Sequence, residues 1–241
     1  MFGLGTVINT GAVILGGLIG ITLKKGIPEK HSQILMQACG VSTIFIGASG
    51  VLEKMLVISD GTLKAQGTML LIFSMVLGSL AGSLLDIEAR LESFGDFLKK
   101  KLHTENDTHF VEGFVTCTLV ICIGAMAIVG SIEDGLTGDY STLTAKAILD
   151  FVIVVIFAST LGKGVIFSAL PLFVYQGLIT CAAKAFGDFM STALIADISY
   201  VGSALIFCVG INIAFGKKFP AGNMLPSLLI PAIYAGLQNF L

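Results

Sequence analysis

The sequence predicts an all-α protein, a polytopic transmembrane helical bundle that forms a single domain over residues 1–241. Composition is the first observation: 55% of the residues are hydrophobic and only 12% are charged, against about 25% charged residues in soluble domains. The second is a series of long apolar runs separated by short polar loops. A surface with so few charges needs lipid as its solvent.

Eight apolar runs are long enough to cross about 30 Å of hydrocarbon, which takes ~20 helical residues. We number them spans one to eight in chain order. The predicted spans are 4–23, 33–52, 67–85, 112–132, 145–162, 165–186, 195–215 and 224–240.

An amphipathic segment over 86–102 follows span three. Its apolar residues recur three or four positions apart, with charged residues between them. This pattern predicts one helix that lies in the membrane interface. The apolar positions are Ile87, Leu91, Phe94, Leu98 and Leu102.

The distribution of cations predicts the orientation. With the N-terminus outside, ten of the fourteen cations lie in cytoplasmic loops, as the positive-inside rule requires. The inner set is Lys24, Lys25, Lys30, Arg90, Lys99, Lys100, Lys101, Lys163, Lys217 and Lys218, and the outer set is Lys54, Lys64, Lys146 and Lys184.

An internal repeat is the third observation behind the fold. Spans one and three share identical residues at an offset of 62, and two tandem helical hairpins, 4–52 and 67–132, follow from it in parallel orientation. Each of these two spans carries a stripe of small residues, which lets helix backbones approach closely in lipid. The helix-packing residues are Gly16, Gly20, Gly78 and Gly82. Such stripes are equally compatible with helix packing within the chain and with the formation of a homo-oligomer.

The sequence leaves two arrangements open for the C-terminal spans, over 145–240. In one, 165–186 is a full crossing. In the other, Pro171 splits 165–194 into a re-entrant pair of half-helices, because proline removes a backbone donor inside a helix.

Two ionisable residues in span five form the leading candidate site. Asp150 lies about one and a half turns into the span, and Lys146 precedes it by four residues on the same helical face. Ionisable groups at membrane depth cost about 2.5–3.5 kcal/mol and mark functional sites. The pair is either an interfacial ion pair or a site where the carboxylate binds a cation or a proton.

Other polar residues lie in the spans and extend the candidate solute- or ion-binding set. A hydroxyl or amide in an apolar helix either hydrogen-bonds a neighbouring helix or lines a solute path. These residues are Asn9, Tyr175, Gln176, Ser199 and Asn212, from spans one, six and seven.

Several classes of function are excluded. A net charge of −2 provides no basic excess for a nucleic-acid partner. The motifs of serine hydrolases, zinc peptidases and P-loop nucleotide-binding proteins are missing from the sequence, so we expect no enzyme. The spacing of the acidic residues in the turn 133–139 differs from that of an EF-hand calcium loop. We interpret this segment as either a solvated turn or a vestibule that attracts cations. We expect no metal and no cofactor beyond a bound Na⁺ or H⁺.

Four strings resemble a known family. They are Gly5 to Thr10 followed by Gly16 to Gly20, Glu112 to Thr116, Gly124 to Asp139, and Ser168 to Pro171 leading to Tyr175-Gln176-Gly177. The chain resembles, over essentially its whole length, the bacterial membrane proteins grouped as domain of unknown function 554. The resemblance implies a bacterial cytoplasmic (inner) membrane protein and a transporter without a specified substrate. Phe151 stands where the family pattern has glycine.

Two functions are therefore in competition. The first is a membrane transporter or channel for a small ion or small polar solute, with its site among spans one, five, six and seven. The alternative is a non-transporting membrane scaffold or sensor that assembles through its small-residue helix faces.

Overall fold

The computed structural model describes residues 2–24, 29–59, 61–104, 108–123, 125–186 and 191–238. Lys25 and Gly124, which enter the orientation and the family resemblance, lie outside the described residues. The described part is predominantly helical, which confirms the all-α membrane class. The helices of the first half are α1 (Leu4–Lys24), α2 (Glu29–Met55), α3 (Thr68–Leu85), α4 (Ile87–Lys101), α5 (Phe110–Ile123) and α6 (Ala125–Leu136).

The second half of the described chain contains two 3₁₀ segments among its helices. One short antiparallel hairpin, which the sequence analysis did not predict, joins α2 to α3 through β1 (Leu56–Ser59) and β2 (Thr62–Ala65). The remaining segments are α7 (Ser141–Leu161), a 3₁₀ segment (Lys163–Ser168), α8 (Ala169–Phe186), α9 (Thr192–Phe215), α10 (Ala221–Met224), a 3₁₀ segment (Leu225–Leu229) and α11 (Ile230–Gln238).

The described residues contain six helices that are long and apolar enough to span a membrane, or seven if α5 and α6 count as one span bent by 58°. The predicted count of eight is not confirmed. Where the last span, 224–240, was predicted, the described residues form a 17-residue apolar segment, Ala221–Leu237, made of short pieces. Pro226 and Pro231 each remove a backbone donor there, which opposes one continuous helix.

Pro171 does not divide its span. It is the third residue of α8, in the first helical turn, where a missing N–H breaks no intrahelical hydrogen bond. The segment Lys163–Ala185 therefore passes as one candidate span, and the break lies between α5 and α6 instead. The re-entrant reading of 165–194 finds no support in the described residues.

Helices far apart in sequence pair with each other. α1 packs along α7, with Gly5 against Leu143 and Gly16 against Phe151. Residue numbers rise together along this contact, so the two helices are parallel. α2 packs along α9 in the opposite sense, since Gly40 lies against Ala214 while the later Gly50 lies against Ser203.

The third long helix of the N-terminal half also pairs with the end of the chain. On α3, Gly78 lies against Ser227 and Gly82 against Asn223, so α3 is antiparallel to this segment. Tandem hairpins over 4–52 and 67–132 are therefore not confirmed, because the helices of each hairpin pack mainly outside it. The parallel pair α1 and α7 and the antiparallel pair α2 and α9 do match an alternating passage through a membrane.

Three described cations contact residues at the two ends of the bundle. At one end Lys217 contacts Glu88 and Glu92 of the amphipathic helix α4. At the other, the ammonium of Lys54 is 3.1 Å from the carboxylate of Asp197, and that of Lys184 lies 4.4 Å from the centre of the Phe2 ring. The orientation of the N-terminus stays a prediction.

Candidate functional site

A buried polar cluster joins α1 to α7. The carboxylate of Asp150 accepts a hydrogen bond of 3.0 Å from the Asn9 side-chain nitrogen and pairs with the ammonium of Lys146 through the same oxygen, Oδ2. Asn9 is fully buried, and the other two residues are each 4% exposed. Asp150 is the tenth residue of α7, which places it about 14 Å from the start of the helix.

The parallel packing of α1 on α7 brings this cluster together. Gly16 and Gly20 have no side chain at the points where α1 meets the backbone of Phe151 and Val155 on α7. Asn9 lies about two turns before Gly16 on α1, and Asp150 immediately precedes Phe151 on α7. The close approach of the two helices brings the Asn9 amide within reach of the Asp150 carboxylate. The approach exists although Phe151 stands where the resemblance led us to expect glycine, because the missing side chain is on α1.

Several buried polar atoms near the same helices have no hydrogen-bond partner among the described residues. Both amide atoms of Gln176 are in this state, although the residue is fully buried. A buried polar group without a partner costs about 1–3 kcal/mol, so these atoms are suited to a ligand. The others on α1, α5 and α8 are Thr6 Oγ1, Asn9 Oδ1, Thr118 Oγ1 and Thr180 Oγ1.

Gln176 lies at the depth of the first turns of α1. Ile166, shortly before α8, lies beside Gly17 in the second half of α1, because a Cβ atom placed on Gly17 would touch it. Thr180 lies beside Gly135, at the end of α6 that meets the start of α1. α8 therefore runs antiparallel to α1, with Gln176 between these two levels.

Two thiols of α5, those of Cys117 and Cys122, are buried in an apolar cluster that also contains Val154 of α7. Tyr175 of α8 packs against this cluster. Asn9, Lys146 and Asp150 thus meet in one polar cluster, whereas Tyr175 and Gln176 lie on α8, which packs against α1, α5 and α6.

The two candidates on α9 lie elsewhere. Asn212 is near the end of α9, where its amide nitrogen donates to the Phe219 carbonyl and its oxygen accepts from the backbone N–H groups of Lys218 and Phe219. This side chain closes the turn after α9. Ser199 is near the opposite end of the helix, and its hydroxyl has no hydrogen-bond partner among the described residues.

Asp134 is a buried acid that the sequence analysis assigned to an exposed turn. It lies within α6, is fully buried, and accepts hydrogen bonds from the backbone N–H groups of Gly3 and Gly5 at 3.1 and 3.0 Å. A carboxylate at the N-terminus of α1 is stabilised by the positive end of that helix's dipole. The signal in the sequence was the four-residue spacing from Gly130, which places both on the face of α6 toward α1 and α7.

A cavity of ≈ 700 Å³ opens at the Lys217 end of the bundle, among α2, α4, α5, α7 and α9. Glu88 and Glu92 line it, and their hydrogen bonds raise the pKa of Lys217 above its ordinary value. Further in, the cavity is lined by Leu119, which is less than one helical turn from Cys122. Asn9, Lys146 and Asp150 are not among the residues that line it.

A family model described as "Protein of unknown function (DUF554)" matches residues 4–235. The chain is 34% identical to "Uncharacterized membrane protein YdfK" of Bacillus subtilis (strain 168), over 95% of this chain and 94% of that protein. It is 31% identical to "Uncharacterized protein YqgA" of Escherichia coli (strain K12), over 94% of each chain. No solved structure matches the chain.

Proposed function

The chain belongs to this DUF554 family of membrane proteins, and on that premise we propose that it is a transporter or channel for a small ion or small polar solute in the bacterial cytoplasmic membrane. The observation that carries the proposal is the buried cluster of Asp150, Lys146 and Asn9. Charges inside a membrane span are costly and are kept where they bind or move something.

The surroundings of the cluster support this function. Gln176 offers a buried amide donor and acceptor at a similar depth, and Thr6 adds a hydroxyl one helical turn before Asn9. A cavity of ≈ 700 Å³ opens at one end of the bundle, and polar side chains such as Gln33, Glu112 and Thr160 line it. Such a cavity supports the entry of a small polar solute or ion.

The scaffold alternative requires small-residue faces that are free to bind a partner. Gly16 and Gly20 instead lie against α7, while Gly78 and Gly82 lie against Ser227 and Asn223 of the same chain. These glycines are therefore occupied within the fold. This weakens a scaffold that assembles through them.

Flux into proteoliposomes tests the proposal. Purified protein is reconstituted and exposed to jumps of Na⁺, K⁺, H⁺ and small anions, with currents recorded on a solid support and indicator dyes trapped inside to detect electroneutral flux. Light scattering follows entry of uncharged polar solutes. We expect a flux that Asp150→Asn abolishes and that Asp139→Asn, at an exposed position outside the bundle, preserves.

Two results would overturn the proposal. One is flux no greater than in empty liposomes for every solute. The other is a wild-type flux that Asp150→Asn leaves unchanged, which would remove the cluster from the pathway.

A further inference from the structure

We propose that α4 binds anionic phospholipid at the membrane surface, through two phenylalanines and two cations on its exposed side. These residues are Arg90, Phe94, Phe97 and Lys101, and we call them the basic aromatic stripe. They follow one another at intervals of four, three and four residues, so they lie along one side of the helix. The inference goes beyond the proposed function, because a lipid site does not require transport.

The opposite face of α4 is occupied within the fold. A Cβ atom on Gly95 would lie 3.0 Å from the Phe114 ring of α5. The carboxylate of Glu88 contacts the ammonium of Lys217 and accepts a hydrogen bond of 3.1 Å from the Gly222 N–H. These contacts fix the rotation of α4 about its own axis and leave the basic aromatic stripe exposed.

The two phenylalanines of the stripe form an apolar surface. Phe94 is 38% exposed and Phe97 is 54% exposed, and their stacked rings have centres 6.3 Å apart. Phe94 also packs against Phe114 at 5.9 Å, which attaches the pair to α5. The ammonium of Lys101 lies 5.7 Å from the centre of the Phe97 ring. A cation and an apolar surface are therefore adjacent, as a lipid head group and its acyl chains require.

The position of α4 places the stripe at the depth of the lipid head groups. α3, which is a candidate membrane span, ends at Leu85. After a single left-handed residue, Asp86, α4 begins at Ile87. Leu84 and Leu85 are exposed at the end of α3, where they can contact lipid chains. α4 therefore starts where the apolar crossing ends, which is the region where aromatic side chains are enriched in membrane proteins.

The charge of α4 indicates which head group it binds. Its last turn contains three consecutive lysines, residues 99–101, and Arg90 adds a fourth cation. None of the four forms an ion pair with a described carboxylate, whereas the two glutamates that face the bundle both contact Lys217. About four to eight lysines and arginines on an amphipathic helix are typical of a site for anionic lipid.

The end of α4 attracts a negative head group more strongly than a neutral one. Three lysines against one acid, Asp96, give the segment 93–101 a net charge of +2. Phosphatidylcholine carries its own ammonium group and has no net charge, while phosphatidylglycerol carries one negative charge. Charge complementarity therefore favours phosphatidylglycerol, whose phosphate can accept hydrogen bonds from the lysine ammonium groups.

Quenching by brominated lipids tests the proposal on the full chain in proteoliposomes. The chain contains no tryptophan, so Phe94→Trp supplies a single reporter and keeps an aromatic ring in the stripe. The vesicles contain phosphatidylcholine and phosphatidylglycerol in equal amounts, and only one of the two lipids carries bromine on its acyl chains. We expect brominated phosphatidylglycerol to quench the reporter more than brominated phosphatidylcholine does. Salt should reduce this preference because it screens exposed charges.

Lysine substitutions in the reporter background test the role of charge. Lys100→Gln/Lys101→Gln should lower the preference several-fold, since each lysine near an anionic surface contributes about a fivefold factor. Lys100→Arg/Lys101→Arg keeps the charge and should keep the preference. Lys64→Gln removes an exposed lysine from the hairpin at the other end of the bundle, so it is the matched control and should change nothing.

Phe97→Gln in the same background tests the apolar part of the stripe. We expect weaker quenching by both lipids, because the exposed ring beside the reporter is lost, while the preference for phosphatidylglycerol remains with the lysines. These substitutions are at exposed positions, and the melting temperature of each purified variant verifies that it is folded.

Equal quenching by the two lipids at low salt would overturn the proposal, as would a preference that survives Lys100→Gln/Lys101→Gln. Quenching by neither lipid would show that the stripe faces water or a protein partner instead. Soluble glycerol phosphate should leave the preference unchanged, and its loss on addition of glycerol phosphate would mean that the cations bind free phosphate. None of these outcomes depends on flux, so the lipid site and the proposed function fail separately.

Discussion

The backbone of Gly16 on α1 touches that of Phe151 on α7, so that a Cβ atom on Gly16 would lie 2.8 Å from the Phe151 carbonyl oxygen. Lipid gives helices no hydrophobic reason to associate, and close backbone contacts of this kind take its place. The contact lies one residue from Asp150, so it also fixes the position of the buried ion pair.

Gly16→Ala should therefore destabilise the protein. Overpacking of a tight contact costs about 1–3 kcal/mol, and here the obstacle is backbone that cannot rotate away. The melting temperature of the purified protein measures the loss. Gly11→Ala, on the same helix with nothing within 4 Å of the added methyl, is the control and should gain slightly from helix propensity. Equal effects of both substitutions would contradict the α1–α7 packing.

Asp134→Asn should loosen the start of α1. The amide that replaces the carboxylate has one acceptor oxygen in place of two and lacks the charge, so at least one of the hydrogen bonds to Gly3 and Gly5 is weakened. Hydrogen bonds to charged groups contribute about 1.5–3 kcal/mol. Hydrogen exchange should accelerate in the first turns of α1. Asp139→Asn, in an exposed turn, should leave that region unchanged.

Gln176→Leu should separate function from stability. The side chain is buried with both amide atoms lacking partners among the described residues, and an apolar replacement of similar size removes that cost. We expect an unchanged or higher melting temperature together with reduced flux in proteoliposomes. Cys181→Ser, at an exposed position on α8, should change neither. A loss of stability in Gln176→Leu would show that the amide has a structural partner.

High pH should release α4 from the end of the bundle. Because hydrogen bonds to Glu88 and Glu92 raise the pKa of Lys217, their stabilising effect is complete below the ordinary lysine pKa of about 10.4. It is lost as the pH rises through the raised value. The chain contains no tryptophan, so Phe94→Trp provides a single reporter on α4, and its emission should shift to the red.

Lys217→Gln in the same reporter background should show that red shift already at neutral pH. The neighbouring substitution, Lys218→Gln, is the control and should retain the wild-type transition. A reporter that ignores both the pH and the Lys217 substitution would mean that other contacts, such as the packing of Phe94 against Phe114 and the hydrogen bond from Glu88 N–H to Asn223, retain α4.

Much of the site was within reach of the sequence. Lys146 and Asp150 are four residues apart in one apolar run, and helical geometry alone puts them together. Asn9 was recognised as a polar residue in span one, but nothing in the spacing within one helix connects residue 9 to residue 150. Asp134 was missed because its spacing from Gly130 shows only which face of α6 it shares, while its partners are backbone N–H groups of a distant segment, which no spacing reveals.

The sequence by itself determined the membrane class and the positions of the long helices, because each lipid-exposed helix must satisfy its own backbone and carry its own apolar surface. The tertiary structure decided which helices meet: α1 with α7, α2 with α9, and α3 with the residues around Ser227. That choice depends on the shapes of small-residue surfaces more than a hundred residues apart. Lipid is as apolar as the helices themselves, so hydrophobicity does not distinguish one partner from another, and only close packing does.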